Sequence, residues 1–276
     1  LNDARRRLIA DFSSEAPTAN TVPMLGSFPA GPILEAAFWS VKSRTFQGLE
    51  NIDEFVLEID PARPEEIDNA LEFYADKLRL ALPVIIRDED SDSFRELIER
   101  FSKVWKWEAS NVGGLNLLQG KKEVTADWPL YTLNAQAALE WAEQGVERVV
   151  LSPEDDAENV YSLIDQLRGA AVVPVYQHTP LMISATKPAV DSDELIDRSR
   201  RDFRIEPNGH EFVVVNETPF SLTDHLGELK ARGARCFRID LCYGIDSPEE
   251  ASDLVRRITS GLPVPGHDGN FSRELQ

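Results

Sequence analysis

The sequence predicts a (β/α) barrel of the TIM type, distorted or incomplete, behind an extended N-terminal arm. Three observations carry this. The stretch Glu123–Glu154 reads as strand, amphipathic helix and strand, which is a right-handed βαβ unit with parallel strands. The same alternation recurs on both sides of it, giving eight-odd strands over about the length a barrel needs. Many of these strand-like runs end in polar residues, where α/β sheets place their ligands.

Taken in order, Leu1–Asp11 carries Arg5, Arg6 and Arg7 beside Leu8 and Ile9, as at the end of a helix from a preceding domain. Residues 13–32 mix Ser, Pro, Ala, Thr and Gly without a period, the composition of a linker. Residues 32–47 fit a short apolar helix or an edge strand equally well. The expected division is therefore an arm over 1–48, left from a preceding domain, and a barrel domain over 49–276.

Phe55–Ile59 reads as a strand, and Pro64 opens a helix expected to run to about Leu78. Pro83–Ile86 reads as the next strand, followed by a helix capped by Ser91 or Ser93 and continuing to Val104. Trp107–Ser110 is a third strand, with Gly113 and Gly114 opening a short helix. Val124–Trp128 and Val146–Leu151 are the strands of the central unit, joined by a helix over Asn134–Gln144. A helix over Asp155–Gly169 and a strand over Val172–Tyr176 follow. Pro174 cannot donate a ladder hydrogen bond, so a bulge or an edge is expected there.

The pattern then changes. Phe203–Glu206 and Phe212–Val215 flank Pro207-Asn-Gly209, the signature of an antiparallel hairpin. A helix over Ser221–Arg232, a strand over Cys236–Leu241 and a Ser247-capped helix to Ser260 complete the set, and Pro263–Gln276 reads as loop.

Composition narrows the function. The formal charge is −19, which repels polyanions, so direct nucleic-acid binding is not expected. No run is apolar and long enough to cross a bilayer, and no secretory leader is visible. Two cysteines without such a leader point to a reducing, cytoplasmic setting.

Four stretches resemble the peptidase U32 family, the collagenase-like peptidases, and in particular the later part of its long members. They are Leu1-Asn2 with Arg5-Arg6; Asn111-Val-Gly-Gly-Leu with Asp127-Trp and Asn134-Ala; Val149-Val-Leu-Ser-Pro-Glu154 with Tyr176-Gln-His-Thr-Pro-Leu-Met182; and Pro219-Phe-Ser-Leu with Phe237-Arg-Ile-Asp240. The resemblance spans nearly the whole chain in family order. It implies one part of a longer polypeptide, acting on a peptide or another substrate together with the remainder of its parent. Whether this part is itself a hydrolase rests on the resemblance alone. Other relatives hydroxylate bases of ribosomal or transfer RNA, or quinones without oxygen, and hold an iron–sulfur cluster. The cluster-holding relatives carry a cysteine soon after Pro-Leu-Met, where this chain reads Ile183-Ser-Ala-Thr-Lys-Pro188. The resemblance thus implies first a domain of a collagenase-like peptidase that contributes a substrate-binding site at the C-terminal face of the barrel, and as the alternative a cluster-less scaffold or substrate-positioning domain of a protein that takes part in RNA or small-molecule hydroxylation.

The site candidates follow from strand ends. His178, just past a strand, is the candidate base, with Asp127, Asn134, Glu154 and Asp240 in its neighbourhood and Gln177 beside it. A neighbouring carboxylate could let His178 activate water; no nucleophile elbow and no HExxH helix is present. The competing reading is structural: strand-end carboxylates cap the next helix. Arg238 alternates with Phe237 and Ile239, so it points into a barrel, where Asp240 is its expected partner or an anion its ligand. Cys236 and Cys242 would lie about 20 Å apart on an extended segment. No metal site and no cofactor is expected, since a four-iron cluster usually takes four thiolates.

Overall fold

The computed structural model describes residues 28, 34–45, 47–121, 123–188, 194–196 and 202–273. The expectations for Leu1–Asp11, and for most of the arm, lie outside these residues. Eight parallel strands close into a ring: β1 (Phe38–Ser43), β2 (Glu54–Glu58), β3 (Leu78–Ala81), β4 (Trp107–Ala109), β5 (Val124–Ala126), β6 (Val146–Val150), β7 (Ala171–Gln177) and β13 (Cys236–Asp240). The last of these lies between β7 and β1, and β6 pairs with β7, so the barrel is complete. The stretch read as helix or edge strand supplies β1, which pairs on both sides, so the barrel starts ahead of residue 49.

Helices surround the ring: α1 (Pro64–Tyr74), α2 (Ser91–Arg100), α3 (Val112–Leu117), α4 (Ala135–Glu143), α5 (Ala157–Leu167), α6 (Leu226–Ala231) and α7 (Pro248–Thr259). Most of the longer ones bury a 3.6-period stripe, such as Val160, Leu163, Ile164 and Leu167 on α5. These stripes meet the outward strand positions Val41, Leu57, Leu80, Trp107, Val149, Val173 and Ile239 in the main core. The apolar core therefore lies between ring and helices.

Two expectations need correction. The third strand is Leu78–Ala81, and Pro83–Ile86 is loop. The charge of Arg79 breaks the apolar run, which made the strand look like the end of α1. The helix after it starts at Ser91 but has no side-chain cap from Ser91 or Ser93, and it stops at Arg100. At Pro174 the register of β7 slips against β13, where Arg238 faces Pro174 and Ile239 faces Tyr176. The expected bulge is there, inside the ring and not at an edge.

Between β7 and β13 the chain builds a second sheet, a cap of four antiparallel strands. These are β8 (Pro180–Ser184), β9 (Glu194–Ile196), β10 (Asp202–Asn208) and β11 (Glu211–Asn216), in the order β8-β11-β10-β9. The expected hairpin is its centre, turning at positive-φ Gly209. The chain returns through β12 (Phe220–Ser221), which pairs antiparallel with the end of β7.

Candidate functional site at the barrel mouth

Apolar side chains usually fill a barrel of this size. Here many of the inward positions carry charge instead, above a small apolar layer that includes Val150, Val172 and Cys236. Glu54 accepts from Arg79 at 2.9 Å and, across the ring, from Arg148 at 2.8 Å. One layer higher, Arg238 grips Glu108 with two nitrogens, at 2.7 and 3.1 Å. Ser40 links the layers, donating to Glu54 (3.1 Å) and accepting from Arg238 Nε (3.2 Å). Lys42 Nζ then reaches Glu108 at 3.1 Å and Asp127 at 2.6 Å, and Ser110 also donates to Asp127. Pairs such as β2–β6 and β1–β5 can meet only across the lumen, so these bonds are the filling of the barrel.

Burial sets the electrostatics. It opposes the charge on Glu108, but Arg238 and Lys42 overcome it and hold the carboxyl down to about 2. Arg79 and Arg148 similarly hold Glu54 far below the carboxylate range despite its burial. Burial works against charged Lys42 too, yet Asp127, Glu108 and Asp240 outweigh it and keep its pKa well above the ordinary value. Glu58 goes the other way, pushed up by burial although Lys42 and Arg44 pull it down.

The C-terminal strand ends converge on a chamber of about 20 Å³, lined by Lys42, Glu58, Asp127, Trp128, Gln177, His178, Asp240, Cys242 and Tyr243, with Val84 and Pro180. That is room for about one water. A groove of about 870 Å³ is larger but lies elsewhere. It uses Glu158, Tyr161, Ser162 and Asp165 of α5, the face opposite the buried stripe.

Of the residues singled out from sequence, Asp127, Gln177, His178 and Asp240 meet at this mouth. Arg238 lies in the layer beneath, and its partner is Glu108, not Asp240. Asp240 instead accepts the Cys242 N–H at 2.9 Å. Asn134 caps α4 by accepting from Ala137 N at 2.8 Å. Glu154 stands apart from the chamber, its backbone carbonyl accepting from Asn270. Lys42, Glu58, Glu108 and Tyr243 were missed. Glu58 and Glu108 had a signal: each is a charge between two apolar neighbours in a strand, and so an inward position.

His178 is 7% exposed and held on both ring nitrogens. Nδ1 lies 2.8 Å from Asn216 O, which can only accept, so this nitrogen carries the proton. Nε2, 3.3 Å from the Tyr176 hydroxyl, is then the acceptor. The backbone of Gly244 lies flat against the ring: a Cβ there would overlap the imidazole. The two thiols are separated, Cys236 3.7 Å from Arg148 in the lower barrel and Cys242 at the mouth. Burial raises both above the ordinary thiol range. This pair does not fit the four-thiolate set of an iron–sulfur cluster. Among the described residues, no group of three or more His, Cys, Asp and Glu is arranged to hold a metal ion. Among them, too, no helix is long and apolar enough to cross a membrane.

No protein-family model matches the chain, and no curated protein matches it. Solved structures do resemble it. A U32 peptidase aligns at 11% identity and TM-score 0.41, over 56% of this chain and 74% of that one. The spore cortex-lytic enzyme SleL of Bacillus megaterium aligns at 10% identity and TM-score 0.39, over 87% and 77%. A class V chitinase from Nicotiana tobaccum aligns at 12% identity and TM-score 0.27, over 72% and 80%. Likenesses at this level carry no argument about activity.

Proposed function

We propose that this chain is a non-hydrolytic barrel that holds a polar substrate or partner segment at its C-terminal mouth, as the positioning domain of a larger protein. One observation carries the reading: the charged side chains a barrel enzyme would turn on a substrate are committed to one another. Lys42 is engaged by Asp127 and Glu108, and Arg238 by Glu108. His178 spends Nδ1 on a backbone carbonyl and Nε2 on a tyrosine hydroxyl. The remaining space admits about one water.

The second reading is a collagenase-like peptidase with His178 as base. The convergence of Asp127, Asp240, Gln177 and His178 on one chamber favours it. Hydrolysis of gelatin and of a mixed peptide library, with and without a chelator, separates the two. The positioning reading expects no turnover by the purified chain or by His178→Ala. Turnover that disappears in His178→Ala would establish the peptidase and end the positioning reading.

A further inference from the structure

We infer that the four-stranded cap is a lid, which lifts from the barrel mouth as a unit and opens the chamber beneath it. The cap is spliced into the ring between β7 and β12, so two short crossings join it to the barrel. His178 on the outgoing crossing and Asn216, the last residue of β11 before the returning one, are bonded to each other, Nδ1 to carbonyl at 2.8 Å. That bond clips the two crossings together into one hinge.

The packing is divided in the same way. Val213, Val215 and Ile183 form a small cluster with Tyr243 and Cys242, separate from the main core. A satellite cluster can part without exposing the core, so its opening free energy lies below that of global unfolding. The cap's other holds are polar, and one of them, Asn216 Nδ2 to His267 Nε2 at 3.2 Å, lies at the hinge itself. Arg87, in the loop after β3, meets Glu211 of β11 at 2.7 Å, with the two side chains 35% and 17% exposed. Gly244 N donates to Glu206 Oε1 at 3.0 Å, and Arg204 lies 3.6 Å from Asp246. Beneath lies a chamber lined by ionisable groups and too small for any ligand much beyond a water. Pro180 at the start of β8 is part of its lining, so motion of the cap would widen it.

The inference rests on the positioning reading only for the purpose of the motion, and its test needs no ligand. The protein carries two thiols, a partly exposed one at the mouth, packed against the cap, and a buried one in the lower barrel. Their alkylation rates, followed separately by peptide mass spectrometry over a urea series below the unfolding transition, report local and global opening. Cys242 is expected to react faster than Cys236, with the weaker urea dependence. Arg87→Gln and Glu211→Gln, each removing one side of the partly exposed latch, should each speed Cys242 about two- to fivefold and leave Cys236 unchanged. Hydrogen exchange should show the amides of β8, β10 and β11 accelerating together in the same variants. Equal urea dependence of the two thiols, or a Cys242 rate indifferent to both latch variants, would overturn the lid.

Discussion

Arg238→Met is the sharpest probe of the barrel's filling. Arg238 is 2% exposed and holds Glu108, 0% exposed, through two short bonds. At an effective dielectric constant of about 20, two charges about 4 Å apart attract by roughly 4 kcal/mol. Truncating one side of a buried pair typically costs about 3–5 kcal/mol, since the other charge is left without its partner. Lys42, 3.1 Å from Glu108, remains and offsets part of this, which places the expected loss near about 3 kcal/mol. Against a typical domain stability of about 5–15 kcal/mol, such a loss is readily measured. Arg238→Met/Glu108→Leu removes both charges and replaces them with apolar volume, so it should recover most of the loss and return within about 1–2 kcal/mol of the parent. Urea unfolding by circular dichroism gives all three values. A single-variant cost under about 1 kcal/mol, or a double variant whose losses simply add, would refute the view that these charges hold one another.

Acid should weaken the fold through the same groups. Glu108, held at about 2 against an ordinary value of 4.5, contributes stability that is full above pH 4.5 and lost as the pH falls through about 2. Glu54, also depressed, acts in the same direction, whereas Glu58, raised, adds stability at low pH that is lost as the pH rises through its folded value. Urea midpoints from pH 6 to pH 2 should therefore fall more steeply in the parent than in Glu108→Gln, and parallel curves would count against the assignment. Gly244→Ala should be destabilising, because its Cβ meets the His178 ring at φ +78°. Adding His178→Ala should restore part of that loss and leave a conformational penalty of about 1 kcal/mol; strict additivity of the two melting shifts would argue against the contact. Asn134→Ala should cost about 1 kcal/mol through the lost cap of α4 and leave Cys242 alkylation as it was, whereas a change at the mouth would return Asn134 to the site.

Much of the barrel was legible because its outward positions follow the rules of a buried strand. Phe55 and Leu57, Val149, and Phe237 and Ile239 are apolar at alternate positions, and each run was read as a strand. Ser247, Pro248 and Gly209 marked their cap and turn correctly. The failures came where the inward face is charged. Arg79 in Leu78–Ala81 disguised β3, and Ser40 and Lys42 gave β1 the look of an indeterminate segment. Local pattern reading treats such charges as solvent-facing, but here each meets an opposite charge contributed by a distant strand. Arg238 was placed inward correctly and its partner wrongly. Asp240 is two residues away in sequence, whereas Glu108 is 130 residues away and faces it only once the ring exists. The hinge role of His178 was hidden for the same reason, since Asn216 and Gly244 approach it through the cap and the last βα loop.

The position of β13 has a consequence for how the barrel is made. It is the last strand among the described residues, yet it must slide between the first and the seventh, joining Arg238 to Ser40 across 198 residues. Closing so long a loop is entropically costly and kinetically slow. Until that insertion, Glu108 has Lys42 but lacks the guanidinium that grips both of its oxygens. Ring closure and the two-nitrogen grip on Glu108 are thus one event. A seven-stranded arrangement is left open at its seam and without that grip, so the chain has little to gain from stopping short of the finished barrel.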